Sequence, residues 1–108
     1  MFRIRTFNSI SEVGLRRFPA AHYRISDDEA DADAIILRSQ DLHDLVIGPS
    51  LKAVGRAGAG VNNIPIAAMS QRGIPVFNAP GANANAVKEL FIAGLLLAAR
   101  NICPAWDY

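Results

Sequence analysis

Residues Arg56 to Asn62 read Arg-Ala-Gly-Ala-Gly-Val-Asn, a glycine loop at the end of an apolar run. Gly58 and Gly60 remove Cβ atoms where backbone N–H groups would have to approach a ligand closely, and successive N–H groups suit an anion or a cofactor. By composition alone the same residues also suit a tight turn that holds no ligand. A second position with anion chemistry is Arg38-Ser39, directly after the apolar run Ile35-Ile36-Leu37. A guanidinium beside a hydroxyl can bind phosphate through charge-assisted hydrogen bonds, although an isolated Arg-Ser pair is usually only a solvated loop. The other reactive residue types do not assemble. His22 and His43 fall in different segments without a Ser or Cys partner pattern, and Cys103 stands alone, so no catalytic residue and no metal site is expected within this chain.

The glycine loop is not a dinucleotide fingerprint. A third glycine would fall at Asn63, and the acidic residue expected about 20 positions further on is missing from Ala79-Pro80-Gly81-Ala82.

The elements that must hold these loops follow from periodicity. Phe2 to Phe7 alternates as a strand, and Ser9 or Ser11 can cap a short helix carrying Val13, Leu15 and Phe18, with Pro19 stopping it. Ala21 to Ile25 reads as a second strand. Asp27, Asp28, Glu29, Asp31 and Asp33 read as a solvated, helix-starting face, since acids are favoured in a first turn. Ala34 to Leu37 is a short, unbroken apolar run, the mark of a strand buried on both faces. Leu42, Leu45 and Val46 give a helical stripe, Leu51 to Val54 a further strand, and Ile66 to Gln71 a helix with Pro65 at its first position and Gly73 at its C-terminal cap. Ile74 to Asn78 closes the series of strands. Strands separated by helical stretches predict the α/β class, a parallel sheet with helices on both faces.

At 108 residues and 51% apolar, the chain can bury one core. The formal net charge is +1, and the basic residues are scattered, which argues against a nucleic-acid or membrane surface and for a small-molecule partner. A single cysteine excludes an internal disulfide framework and fits the cytoplasm. No targeting segment is read at the N-terminus. The stretch Leu90 to Ala99, ten residues apolar on every side of a helical wheel, is short of the roughly 20 residues that cross a bilayer. It needs cover from a second domain or subunit, and left uncovered it predicts self-association.

Leu37-Arg-Ser39, Leu51-Lys-Ala-Val-Gly-Arg-Ala-Gly-Ala-Gly-Val-Asn-Asn-Ile64, Arg72-Gly-Ile-Pro-Val-Phe-Asn-Ala-Pro80, Asn83, Glu89-Leu90 and Ala98-Ala-Arg-Asn-Ile102 occur in that order. In these motifs the chain closely resembles the amino-terminal part of the D-isomer-specific 2-hydroxyacid dehydrogenases; residues 1–33 match only in their strand and helix pattern. The resemblance implies a flavodoxin-like, Rossmann-like substrate-binding domain over residues 1–84, an apolar interdomain helix over 85–103, and a cut end at 104–108 before the NAD-binding domain. It implies hydride transfer between C2 of a hydroxy acid and NAD, with the catalytic Arg, Glu and His all beyond Tyr108, so that this chain alone should not turn over. NAD would be bound mainly by the other domain, and the protein would be a homo-oligomer.

For the site, the resemblance implies that the backbone of Gly58, Ala59, Gly60 and Val61 receives the substrate carboxylate, with Ala59 also lying against the cofactor. Arg38 and Ser39 would face the phosphate of 3-phosphoglycerate, the expected substrate, in serine biosynthesis. Asn83 would lie near the substrate and hinge, although its own residue type reads equally well as an ordinary cap. Arg56 supports the loop on this reading, and Lys88 receives no role. The rival class is a free-standing flavodoxin-like module for small-anion binding or dimerisation. A receiver-like module would need acidic residues where this chain has Phe7-Asn8-Ser9 and Arg38-Ser39.

Overall fold

Short apolar runs punctuated by Gly, Pro and Asx turns give short elements. The computed structural model describes residues 1–107. Its elements are β1 (Phe2–Thr6), α1 (Glu12–Leu15), β2 (Tyr23–Ser26), β3 (Ala34–Leu37), β4 (Ala53–Arg56), α2 (Ile66–Gln71), β5 (Val76–Phe77), α3 (Ala84–Arg100) and α4 (Ile102–Asp107). The five strands are all parallel, in the order β2-β1-β3-β4-β5. This is the flavodoxin-like order of the α/β class. Its strand order reverses between β1 and β3, and open sheets of this kind bind ligands beyond the carboxyl ends of their strands at such a point.

The core forms where alternate residues of β3 and β4 meet two connecting segments. Ile35 pairs with Val54, and these two with Leu37 bury against Leu42 and Leu51 from the β3–β4 connection and Ile64, Met69 and Ile74 from around α2. The end of α2 is set locally. Gly73 adopts φ 69°, its N–H donates to Ser70 O at 3.1 Å, and the Ile74 N–H donates to Met69 O at 2.9 Å, the paired bonds of a glycine-terminated helix. Pro65 stands at the N-cap, one position earlier than expected.

Two expected helical features do not form. Leu42 and Leu45 bracket a single turn and Val46 lies beyond it, because the His43 N–H bonds the Asp41 side chain at 2.9 Å and the Leu42 N–H bonds Asn63 O at 2.8 Å, taking donors away from a helix. Leu42 is buried while Val46 is 90% exposed, so the stripe has no common face. The acidic stretch starts no helix either. Glu29 pairs with Arg24 at 2.8 Å, Asp31 with Arg3 at 3.4 Å and Asp33 with Lys52 at 2.9 Å, fastening the amino ends of the strands. The strand expected over Leu51–Val54 runs from Ala53 to Arg56, matched residue for residue with Ala34 to Leu37. The strand expected from Ala21 starts at Tyr23, because the His22 and Tyr23 N–H groups bond back to Pro19 O in a turn. Ser11 is the N-cap of α1 without a side-chain bond, and Val13 is exposed rather than part of a buried stripe.

The apolar helix forms as α3 and is exposed throughout, ending at Asn101 with φ 54°. Among the described elements its one substantial neighbour is α4. The radius of gyration, 18.8 Å, therefore exceeds the roughly 13 Å of a compact domain of this length. No helix among the described residues is long and apolar enough to cross a membrane.

Asp33 joins three strands. Its carboxylate accepts from the Arg3 N–H at 2.8 Å and from Lys52 Nζ at 2.9 Å. The backbone bond from Arg3, then the Lys52 contact, holds its pKa below the ordinary 3.8. A depressed folded pKa means stability that is complete above the ordinary value and is lost as pH falls from 3.8 through the lowered value. Asp33→Asn is therefore expected to lower the melting temperature at neutral pH, with the gap from wild type narrowing as pH falls below 3.8. A gap that is constant across that range contradicts the assignment.

Candidate functional site

The two candidate loops leave neighbouring strands at the same level. Leu37 pairs with Arg56 at the carboxyl ends of β3 and β4, and the Ala57 N–H donates to Leu37 O at 2.8 Å. Beyond this point the loops are cross-braced. Arg56 donates from Nε to Arg38 O at 2.7 Å and from Nη1 to Gly60 O. Asn63 Nδ2 reaches Arg38 O at 3.2 Å and Gln40 O at 2.9 Å. His43 Nε2 bonds Asn62 O at 2.8 Å. From the β5 side, Asn78 Nδ2 donates to Ala59 O at 2.8 Å and the Ala79 N–H to Gly58 O at 3.0 Å.

These bonds settle which way the glycine loop faces. The carbonyls of Gly58, Ala59 and Gly60 are all taken by the protein, whereas the N–H groups of Gly58, Ala59, Gly60 and Val61 find no acceptor among the described residues. Ala59 and Gly60 are exposed. A short run of unpaired backbone donors suits an anion.

The need for glycine has a different origin from the one expected. Neither Gly58 nor Gly60 has a positive φ. A Cβ on Gly58 would lie 3.2 Å from Arg56 Cζ, and one on Gly60 would lie 3.1 Å from Arg56 Nη1. The space freed by the missing Cβ atoms is used by the Arg56 guanidinium, not by a ligand. Arg56 is thus the loop's support.

Arg38 and Ser39 are exposed beside this loop. The Arg38 guanidinium has one weak contact, Nη1 to Ser9 O at 3.5 Å, and no carboxylate among the described residues pairs with it. The backbone N–H groups of Arg38, Ser39 and Gln40 all donate to Asn8 Oδ1, a contact that links β1 to the loop after β3. Asn8 was not among the expected site residues, and the local signal for it is an Asx residue directly after a strand. Asn83 stands outside this network, at the N-cap of α3, with its carbonyl accepting from the Val87 N–H at 3.0 Å.

The loop does not fit a dinucleotide pyrophosphate. Val61, Asn62 and Asn63 follow Gly60, and α2 opens only at Ile66, so no glycine-tight turn leads into a helix. No group of three or more His, Cys, Asp or Glu among the described residues is placed to hold a metal ion.

The domain is thus a flavodoxin-like parallel sheet of the α/β class, with a loop of unpaired backbone donors beside an arginine that no carboxylate among the described residues pairs. Residues 7–93 match the D-isomer specific 2-hydroxyacid dehydrogenase, catalytic domain, and the chain belongs to this family. It is 49% identical over 76 residues to a D-3-phosphoglycerate dehydrogenase of Archaeoglobus fulgidus, an alignment covering 68% of this chain and 14% of the relative. It is 44% identical over 78 residues to the enzyme of the same name from Methanocaldococcus jannaschii, covering 69% and 15%. An erythronate-4-phosphate dehydrogenase of a Shewanella species is 46% identical over 78 residues, covering 68% and 21%. The chain thus matches about one seventh of the length of the first relative.

If Arg56 sets the glycine loop, Gly60→Ala should destabilise the wild-type chain but cost much less in an Arg56→Ala background, because the new methyl group then meets no guanidinium. Arg56→Ala alone should cost about 1–2 kcal/mol, the value of lost hydrogen bonds from a charged donor. Denaturant melts of the four chains check this. Additive effects of the two substitutions contradict it.

Proposed function

We propose that this chain is the substrate-binding part of an NAD-dependent D-2-hydroxyacid dehydrogenase whose substrate is 3-phosphoglycerate, oxidised to 3-phosphohydroxypyruvate in serine biosynthesis. The observation that carries the reading is the pairing of two unlike anion sites. The unpaired N–H groups of residues 58–61 suit a carboxylate, and across the same edge Arg38, with no carboxylate partner among the described residues, and Ser39 suit a phosphate. Both kinds of relative are named for phosphate-bearing molecules.

On this reading residues 1–84 bind substrate, and residues 85–103 lead to the nucleotide domain and the subunit interface, with 104–108 at the junction. The exposed apolar surface of α3 supports cover by that domain or by a second subunit of a homo-oligomer. NAD is held mainly by the other domain, with Ala59 at the exposed tip of its loop facing it and Asn83 near the hinge. The catalytic Arg, Glu and His also lie outside these residues, so no step of hydride transfer belongs to this chain alone. The working compartment is the cytoplasm, in keeping with the lone Cys103.

The chain is expected to be stabilised against thermal unfolding by 3-phosphoglycerate more than by glycerate or inorganic phosphate, and to form no NADH from 3-phosphoglycerate and NAD. Equal stabilisation by phosphorylated and unphosphorylated acids overturns the substrate assignment, and NADH formation overturns the division of labour.

A further inference from the structure

Three successive backbone N–H groups, those of Arg38, Ser39 and Gln40, converge on one side-chain atom, Asn8 Oδ1, at 3.1, 3.0 and 3.1 Å. Three converging donors identify that atom as the amide oxygen. Asn8 also has a left-handed backbone, φ 65°, a conformation in which asparagine is several-fold enriched among non-glycine residues. The turn brings the following carbonyl, Ser9 O, within 3.5 Å of Arg38 Nη1. Backbone and side chain of one residue therefore act together on the Arg38–Ser39 loop, across the boundary where the strand order reverses.

We propose that Asn8 is a positioning residue for phosphate recognition. By taking up the N–H groups of residues 38–40, it leaves this end of the site to the Arg38 guanidinium and the Ser39 hydroxyl, while the other end is served by the backbone of residues 58–61. The inference rests on the substrate reading above and adds to it a device for orienting the ligand. Backbone donors accept a carboxylate or a phosphate alike, whereas a free guanidinium favours the more highly charged ester. Were the N–H groups of residues 38–40 free, a second backbone anion site would form beside Arg38 and the two ends would lose their chemical difference. Asn8 keeps them distinct.

Two substitutions separate positioning from simple support. Asn8→Gly keeps the left-handed backbone accessible and removes the oxygen; Asn8→Asp keeps an oxygen in place. Calorimetry on the whole chain with 3-phosphoglycerate and with glycerate gives the preference for the phosphorylated acid, and amide spectra of residues 38–40 report the clamp. The preference should fall about tenfold in Asn8→Gly, through a gain in glycerate affinity at the freed N–H groups, with the three amides shifted. It should survive in Asn8→Asp. A preference that persists in Asn8→Gly while the amides shift would overturn the proposal, and so would its loss in both variants. Absence of any preference in the wild-type chain would overturn the substrate reading on which the proposal rests.

Discussion

The guanidinium of Arg56 occupies the space between the two loops that leave β3 and β4, and it fixes both. Nε holds Arg38 O at 2.7 Å and Nη1 holds Gly60 O, so one planar group reads the relative position of two chain segments. A guanidinium suits this task because its donors lie in a rigid fork. The consequence is directional. Once the carbonyls of Gly58, Ala59 and Gly60 are bonded within the protein, the N–H groups of the same peptides, those of Ala59, Gly60 and Val61, point the opposite way. The free donors thus follow from where the carbonyls go, and glycine at 58 and 60 leaves room for the Arg56 side chain, which a Cβ at either position would approach to 3.2 or 3.1 Å.

Asn8 does for the other loop what Arg56 does for the glycine loop. Their actions differ in sign: Arg56 consumes carbonyls and leaves backbone donors free, whereas Asn8 consumes the backbone donors of residues 38–40. Both act across strand boundaries, Asn8 from β1 to β3 and Arg56 from β4 to β3. The parallel order of the sheet is what brings residues 8, 38 and 56 to one edge, although they are far apart in the chain.

This separation explains which features were legible in the sequence. The Ile35–Leu37 run, the α2 helix with its Gly73 stop and the apolar α3 helix are specified by local patterns, and all three formed. The apparent stripe at Leu42, Leu45 and Val46 misleads because its backbone donors go to Asp41 and to Asn63, the latter a tertiary partner that no local pattern shows. The acidic run has a helix-starting composition, yet its carboxylates find Arg3 and Arg24 on strands and Lys52 directly before β4. The glycine loop and Arg38-Ser39 were visible as motifs. The reason for the glycines, and Asn8 altogether, required the sheet order.

The central claim is that the N–H groups of residues 58–61 form an anion site. Its most direct test is the set of amide 15N and 1H shifts of Gly58, Ala59, Gly60 and Val61 on adding 3-phosphoglycerate to the labelled chain. An anion site at the loop should give saturable shifts of these four amides, with the Arg38 and Ser39 signals moving in step. Unmoved loop amides in a folded chain that binds the ligand elsewhere would contradict it.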